Sequence, residues 1–260
     1  MDPWESGDAY ERYVGRWSRK VAIEFVRWLA PPQGLAWADV GCGTGALAST
    51  ILVECEPKSV NGIDSSEAFV SLAQQGVRDR RARFEKGDAA RLPCDSAQFD
   101  VTVAGLVLNF VGNPQAMLRE MIRVTRSGGR VAIYVWDYGA GMQMMRYFWD
   151  AAKEINPQDA GLDEGERFPL CQPEPLRELF ESAGLKSVGL HAIEIPTVFQ
   201  NFDDYWSPFL GGTGAAPGYL ASVSEEIGAQ IRQRLQERLP IGEDGQIELT
   251  ARVWAAQGRV

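Results

Sequence analysis

The sequence predicts a doubly wound α/β protein, and three observations carry that prediction. Short apolar runs of strand length alternate with segments of helical period from residue 35 onward. The first run empties into a glycine-rich turn, Asp39-Val40-Gly41-Cys42-Gly43-Thr44-Gly45, which opens a helix. Acidic residues close the next two runs, at Asp64 and Asp88. The expected architecture is a mostly parallel seven-stranded sheet with helices on both faces.

The elements follow in order. Residues 8–30 predict an amphipathic helix, because Tyr10, Tyr13, Val14, Trp17, Val21 and Phe25 recur at spacings of three and four. Pro31-Pro32 stops it. LAWADVG is the first strand and ALASTILVEC the helix after the turn. SVNGID is the second strand, and SEAFVSLAQQG a helix capped by Ser65 or Ser66. RARFEKGD is a third strand and FDVTVAGLVL a fourth. Asn113-Pro114 starts the next helix, Asn as cap and Pro in the first turn. GRVAIYVWDY is the fifth strand. A Met- and aromatic-rich stretch and a polar loop occupy 139–172. PEPLRELFESAG is a helix closed by Gly184. LKSVGLHAIEIPTVF is the sixth strand. Residues 200–218 are aromatic and Gly-rich. SVSEEIGAQIRQRLQERL is a helix whose Ser222 and Glu225 suggest a capping box, and QIELTARVWAAQGRV is the last strand.

Composition narrows the chemistry. The 260 residues carry one histidine, His191, which excludes three-histidine zinc sites and HExxH proteases within this chain. Cys42, Cys55, Cys94 and Cys171 form no CxxC pair, so neither a metal cluster nor a disulfide framework is expected. The net charge of −9 argues against a nucleic-acid partner or an anionic membrane surface. The polar N-terminus and the lack of any run near the ~18 apolar residues of a membrane span lead to the expectation of a soluble, cytoplasmic protein.

The glycine turn is built for a nucleotide. Glycines let the backbone approach a ligand, and the helix N-terminus offers unpaired N–H groups. Gly41, Gly43 and Ala46 also satisfy the dinucleotide pattern, which leaves a nucleotide-binding oxidoreductase open. Asp39 weighs against it. A carboxylate there repels a pyrophosphate and welcomes a cationic ligand end. Asp64, 23 residues beyond Gly41, suits the two ribose hydroxyls of either ligand.

WADVGCGTGAL resembles motif I of the class I S-adenosylmethionine-dependent methyltransferases. GID at 62–64 resembles their ribose-binding acid. KGDAARLPCDSAQFDVTVAGLVLNFV resembles the following block of the ubiquinone/menaquinone-biosynthesis-like branch, and SGGRVAIYVWD the Gly-Gly opening of the fifth strand. The resemblance covers 35–137 in detail and the last third in pattern only. It implies a Rossmann-like fold with an antiparallel final strand, an N-terminal helix and a helical, aromatic lid. The whole chain then forms one domain. Its parts are a cover helix (1–34), a cofactor core (35–137), an insert with the sixth strand and lid (138–215), and the last helix and strand (216–260).

The resemblance further implies S-adenosylmethionine as cofactor, S-adenosylhomocysteine as product and a small-molecule methyl acceptor. Gly41, Cys42, Gly43, Thr44 and Gly45 would line the methionine and ribose side, and Asp39 the amino end. Asp64 and Ser65 would hold the ribose, and Asp88 and Ala89 the adenine. Ala104, Gly105 and Leu106 would close the pocket, with Tyr13 and Arg19 reaching in from the first helix. No metal is required. Acceptor-side candidates are Asn109, Tyr138, Trp149 and Trp206. The aromatic segments around the last three suit an apolar or aromatic molecule. His191 and Asp137 are candidate bases should a hydroxyl need deprotonation. A cofactor-binding module without catalysis is the remaining alternative. The oligomeric state is not legible.

Overall fold

The computed structural model describes residues 15–212 and 214–260. Its sheet has seven strands in the order β3-β2-β1-β4-β5-β7-β6. They are β1 (Ala36–Val40), β2 (Ser59–Asp64), β3 (Ala82–Lys86), β4 (Phe99–Gly105), β5 (Thr125–Trp136), β6 (Lys186–Phe199) and β7 (Ile247–Arg259). The pairs β1–β2, β2–β3, β1–β4 and β4–β5 are parallel. The last strand runs antiparallel: Gly128 bonds Val260 at one end of β5, and Asp137 bonds Arg252 just past the other. These are the predicted class, strand count and final-strand direction.

The chain divides into two compact units. One comprises Ser18–Val135, Gln172–Ile193 and Trp254–Val260. The other comprises residues 15–17, Trp136–Cys171 and Glu194–Val253. We call them the sheet unit and the insert unit.

The sheet unit has a core made by strands covered on both faces, which is why β1 and β4 are nearly all apolar. Trp37, Val40, Val60, Ile63, Val101, Val103, Val131 and Ile133 are buried. The helix Arg16–Leu29 presents Val21, Ala22, Phe25, Val26 and Leu29 to the interior, the predicted three-and-four spacing. The part of that predicted helix holding Tyr10 and Tyr13 lies outside the described residues. The helix Glu67–Gly76 is capped by Ser66, whose hydroxyl accepts from the Phe69 N–H. The helix Pro114–Val124 is capped by Asn113, which accepts from the Ala116 N–H.

The insert unit holds the helices Gln143–Ile155, Glu164–Arg167, Phe202–Trp206, Ala215–Ser222 and Glu225–Arg238. Two of its features depart from the sequence reading. The Met-rich stretch forms a helix of 13 residues, because Met144, Met145, Phe148, Trp149 and Ala152 make one buried stripe. And Ser222 ends the preceding helix; Ser224 caps the next one, its hydroxyl accepting from the Ile227 N–H. The capping box fails because position three of that helix is Ile227, which has no side-chain acceptor.

Among the described residues, no helix is long and apolar enough to cross a membrane.

Candidate functional site

Strand order places the site. β1 and β4 are neighbours whose connections leave in opposite directions, and ligands bind at the carboxyl ends of strands where the order reverses. The glycine turn starts there. Gly41, Gly43 and Gly45 all have positive φ, at 72°, 52° and 87°. That left-handed run is affordable only for glycine. The turn is pinned by Gly41 and Cys42 N–H groups on the Ile63 carbonyl, at 2.7 and 3.1 Å, and by Gly45 on the Cys42 carbonyl at 2.9 Å.

The three glycines differ in what surrounds them. A Cβ on Gly41 would stand 2.5 Å from a Val107 methyl carbon, and one on Gly45 would stand 2.9 Å from Val77. At Gly43 nothing lies within 4 Å. The outer two are therefore required for packing, and the middle one faces open space where a ligand can rest against the backbone.

Asp64 is fixed by two backbone donors. Gly43 N–H reaches one carboxylate oxygen and Ser66 N–H the other, both at 2.9 Å. Each oxygen keeps a lone pair for a further donor, the arrangement a vicinal ribose diol needs. Ser65 beside it is exposed.

Asp39 is the anomaly of the site. It sits mid-sheet in register with Gly62 and Val103 and is 1% exposed. Neither of its oxygens has a hydrogen-bond partner. Burial, and then the neighbouring Asp64 charge, push its carboxyl from the ordinary 3.8 to about 7; the Ala48 N–H offsets only part of this. An unpaired buried carboxylate costs several kcal/mol, so such a group is a socket for a cation. Cys42 fills the turn's inner side, its thiol driven up by burial and by the charges of Asp39 and Asp64.

The end of β4 supplies the opposite wall. Ala104 is buried, and Gly105 has no room for a side chain because the Tyr134 hydroxyl occupies it. Leu106 takes a left-handed φ of 61° while its N–H bonds the Tyr134 carbonyl at 2.8 Å. Such strain in a non-glycine residue clusters at functional sites. A 3-10 turn, Leu108–Phe110, follows. Its Asn109 has both side-chain polar atoms buried and unpartnered.

Asp88 is exposed, with one oxygen accepting from the Ala90 N–H at 2.8 Å; Ala89 lies between them, half-buried. Thr44 is half-buried and Arg19 exposed. Tyr13 lies outside the described residues.

The remaining candidates have partners within their own units. His191, also in the sheet unit, is exposed and stacks on Trp28 at 5.5 Å. In the insert unit, Asp137 is buried and fully engaged: Arg252 Nε donates to one oxygen at 2.8 Å and Ala140 N–H to the other at 3.0 Å. Trp149 is wholly buried and its indole N–H donates to Glu164. Trp206 packs against Phe202 and Phe209, and Tyr138 against Phe168. Sequence reasoning gave no weight to Arg146 and Asp163, a buried ion pair of the insert unit; no motif marks them.

A switch-point sheet with a left-handed glycine turn, a ribose-ready acid and an unpaired buried carboxylate defines a nucleotide-cofactor protein of the Rossmann-like class. The comparisons specify it. The family described as "Methyltransferase domain" matches residues 38–133. A demethylmenaquinone methyltransferase of Bacillus subtilis is 30% identical over 177 residues, covering 62% of this chain and 75% of its own. One from Roseiflexus sp. is 35% identical over 103 residues, 40% of this chain. The matched stretches span 43% and 50% of the Roseiflexus relative and of an O-methyltransferase from Pyrenophora dematioidea. Among solved structures, a Haemonchus contortus phosphoethanolamine N-methyltransferase bound to S-adenosylhomocysteine shares the fold, with a TM-score of 0.60 at 16% identity over 97% of this chain and 56% of its own. The chain belongs to the class I S-adenosylmethionine-dependent methyltransferases, with relatives in the ubiquinone/menaquinone-biosynthesis-like branch.

The site residues fit that family's cofactor. Asp39 is an orphan acceptor for an ammonium, and Gly43 leaves the cradle that a Cβ would fill.

Proposed function

We propose that this chain, acting as one domain, transfers the methyl group of S-adenosylmethionine to a small-molecule acceptor by in-line displacement. The observation that carries the reading is Asp39, a buried carboxylate with no partner, beside a glycine turn and a ribose-ready Asp64. S-adenosylmethionine, when bound, supplies an electrophilic methyl group on a sulfonium whose departure leaves a neutral thioether. The residues of the chain then have to bind, align and keep water out. Asp39 takes the cationic amino end, Asp64 with Ser65 the ribose, and Asp88 with Ala89 the adenine. Gly41 to Gly45 hold the backbone against the ligand, and Ala104, Gly105 and Leu106 shape the reacting side. Alignment of this kind supplies about 7–11 kcal/mol of rate enhancement and asks for no acid or base. Asp137, with both oxygens bonded, and His191, stacked on Trp28, are left out of the mechanism.

An apolar, aromatic acceptor is favoured by relatives named for demethylmenaquinone and, in Synechococcus elongatus, for a phytyl-naphthoquinone. The net charge of −9 supports a small molecule over a nucleic acid.

Calorimetry with S-adenosylhomocysteine and with NADH tests the cofactor, and a labelled-methyl acceptor panel tests the reaction. Micromolar binding of the first with none of the second is expected. Binding of NADH alone would sink the reading, and cofactor binding with no turnover on any acceptor would leave a binding module in its place.

A further inference from the structure

We propose that Asn109 orients the methyl acceptor, and that it does so through a hydroxyl group on that acceptor. The inference rests on the methyl-transfer reading and names the feature of the acceptor the site recognises.

Among the described residues of the sheet unit, three side chains have buried polar atoms without a partner: Trp37, Asp39 and Asn109. Trp37 is a wholly buried core residue with one indole N–H in the sheet. Asp39 is matched to the cationic end of the cofactor. Asn109 has a donor and an acceptor, both buried, and neither is hydrogen-bonded by the protein.

Burying an amide without hydrogen bonds is costly, and cores exclude such groups unless something else requires them. The position shows what requires it. Asn109 follows the left-handed Leu106 by three residues, in the 3-10 turn that ends β4. Val107, which stands at the cap of that turn, packs on Gly41, where no Cβ could fit. The turn carrying Asn109 therefore lies against the glycine turn, on the β4 side of the switch point where ligands bind in this kind of sheet.

The chemistry of the partner follows from the two atoms. Oδ1 needs a donor and Nδ2 an acceptor. A hydroxyl is the smallest group that is both. Asn109 has no proton to give up or take at ordinary pH, so it fixes the geometry of the acceptor and leaves its ionisation alone. A carboxylate or an ammonium on the acceptor would satisfy only one of the two atoms.

Three measurements on N109L and N109S decide the matter. The first is thermal unfolding without ligand. Leucine has nearly the same size and no polar atoms, so N109L should unfold about 2–8 °C higher than the parent protein. The second is S-adenosylhomocysteine affinity, expected within threefold of the parent for both variants. The third is methyl transfer to naphthols, each paired with the thiol of the same ring, which can also be methylated but hydrogen-bonds only weakly. The parent should use the hydroxylated member of each pair. N109L should lose at least a hundredfold in kcat/KM, mostly in kcat, and N109S should recover part of it.

A lower unfolding temperature for N109L would make Asn109 structural. A tenfold loss of S-adenosylhomocysteine affinity would assign it to the cofactor. Equal turnover by N109L, no preference for the hydroxylated probes, or no turnover of any probe by a parent that binds the cofactor product would each overturn the hydroxyl assignment. A parent that binds no S-adenosylhomocysteine would instead overturn the methyltransferase reading itself.

Discussion

The two units treat buried carboxylates in opposite ways. In the insert unit each is answered by the protein. Asp163, fully buried, takes Arg146 and Lys153 together with the Gly165 N–H. Glu164 takes the Trp149 indole N–H, and Asp137 takes Arg252 and a backbone donor. In the sheet unit Asp39 is equally buried, and neither of its oxygens accepts a hydrogen bond. Both Asp39 and Glu164 are pushed up to about 7, with burial as the first cause of each. The pKa shift therefore does not separate a site from a strut. The hydrogen-bond account separates these two carboxylates, because Glu164 accepts the Trp149 indole N–H and Asp39 accepts no hydrogen bond.

The largest test of this contrast is Asp163→Ala. It would leave Arg146 and Lys153 without their buried partner, at a cost of about 3–5 kcal/mol. A fall of about 8–15 °C in Tm is expected by calorimetry. A fall of under 2 °C would mean that the cluster is not structural.

Asp39→Asn should do the reverse. Its S-adenosylhomocysteine affinity should drop about a hundredfold, roughly 2.7 kcal/mol, through loss of a charge-assisted contact. Its unfolding temperature at pH 8 should stay level or rise. A variant that binds normally would remove Asp39 from the site.

The pH dependence sharpens the same point. Folded Asp39 keeps its proton up to about 7, whereas an unfolded Asp loses it near 3.8. The folded chain therefore binds more protons between those values, and stability contributed by this residue falls as pH rises through that window. Cofactor binding needs the charged form. Affinity for S-adenosylhomocysteine should weaken as pH drops below about 7, by up to tenfold per unit, and D39N should flatten the profile. Titration calorimetry in buffers of different ionisation enthalpy would show the accompanying proton release.

The smallest effect is expected in the insert unit at Tyr205→Phe. The buried hydroxyl donates to the Met144 carbonyl at 2.8 Å, and its loss should cost about 1 kcal/mol, read as a small shift in the denaturation midpoint.

Legibility was uneven for physical reasons. The glycine turn, Asp39 and Asp64 could be read because tight turning and strand-end acids restrict residue type at fixed spacing along one short stretch. Asn113 and Ser66 could be read because caps are local. The helix at 143–155 went unread because its stripe is methionine and aromatic, without an N-terminal signal: Met142 stands at its cap, and its side chain accepts no capping hydrogen bond. In the aromatic insert Phe148 and Phe209 stack on each other at 4.6 Å and Trp149 is wholly buried. Ring content says that a residue packs, not on what.

By itself the sequence determined the strand-and-helix alternation, the glycine turn and the acids that flank it, because each depends on neighbours a few residues away. Tertiary structure alone decided which buried polar groups are paired. Asp137 and Asp39 are both acids at or near strand ends. Only folding, which brings Arg252 across more than a hundred residues to the first and leaves the second without a hydrogen bond, made one a brace and the other an unpaired buried acid.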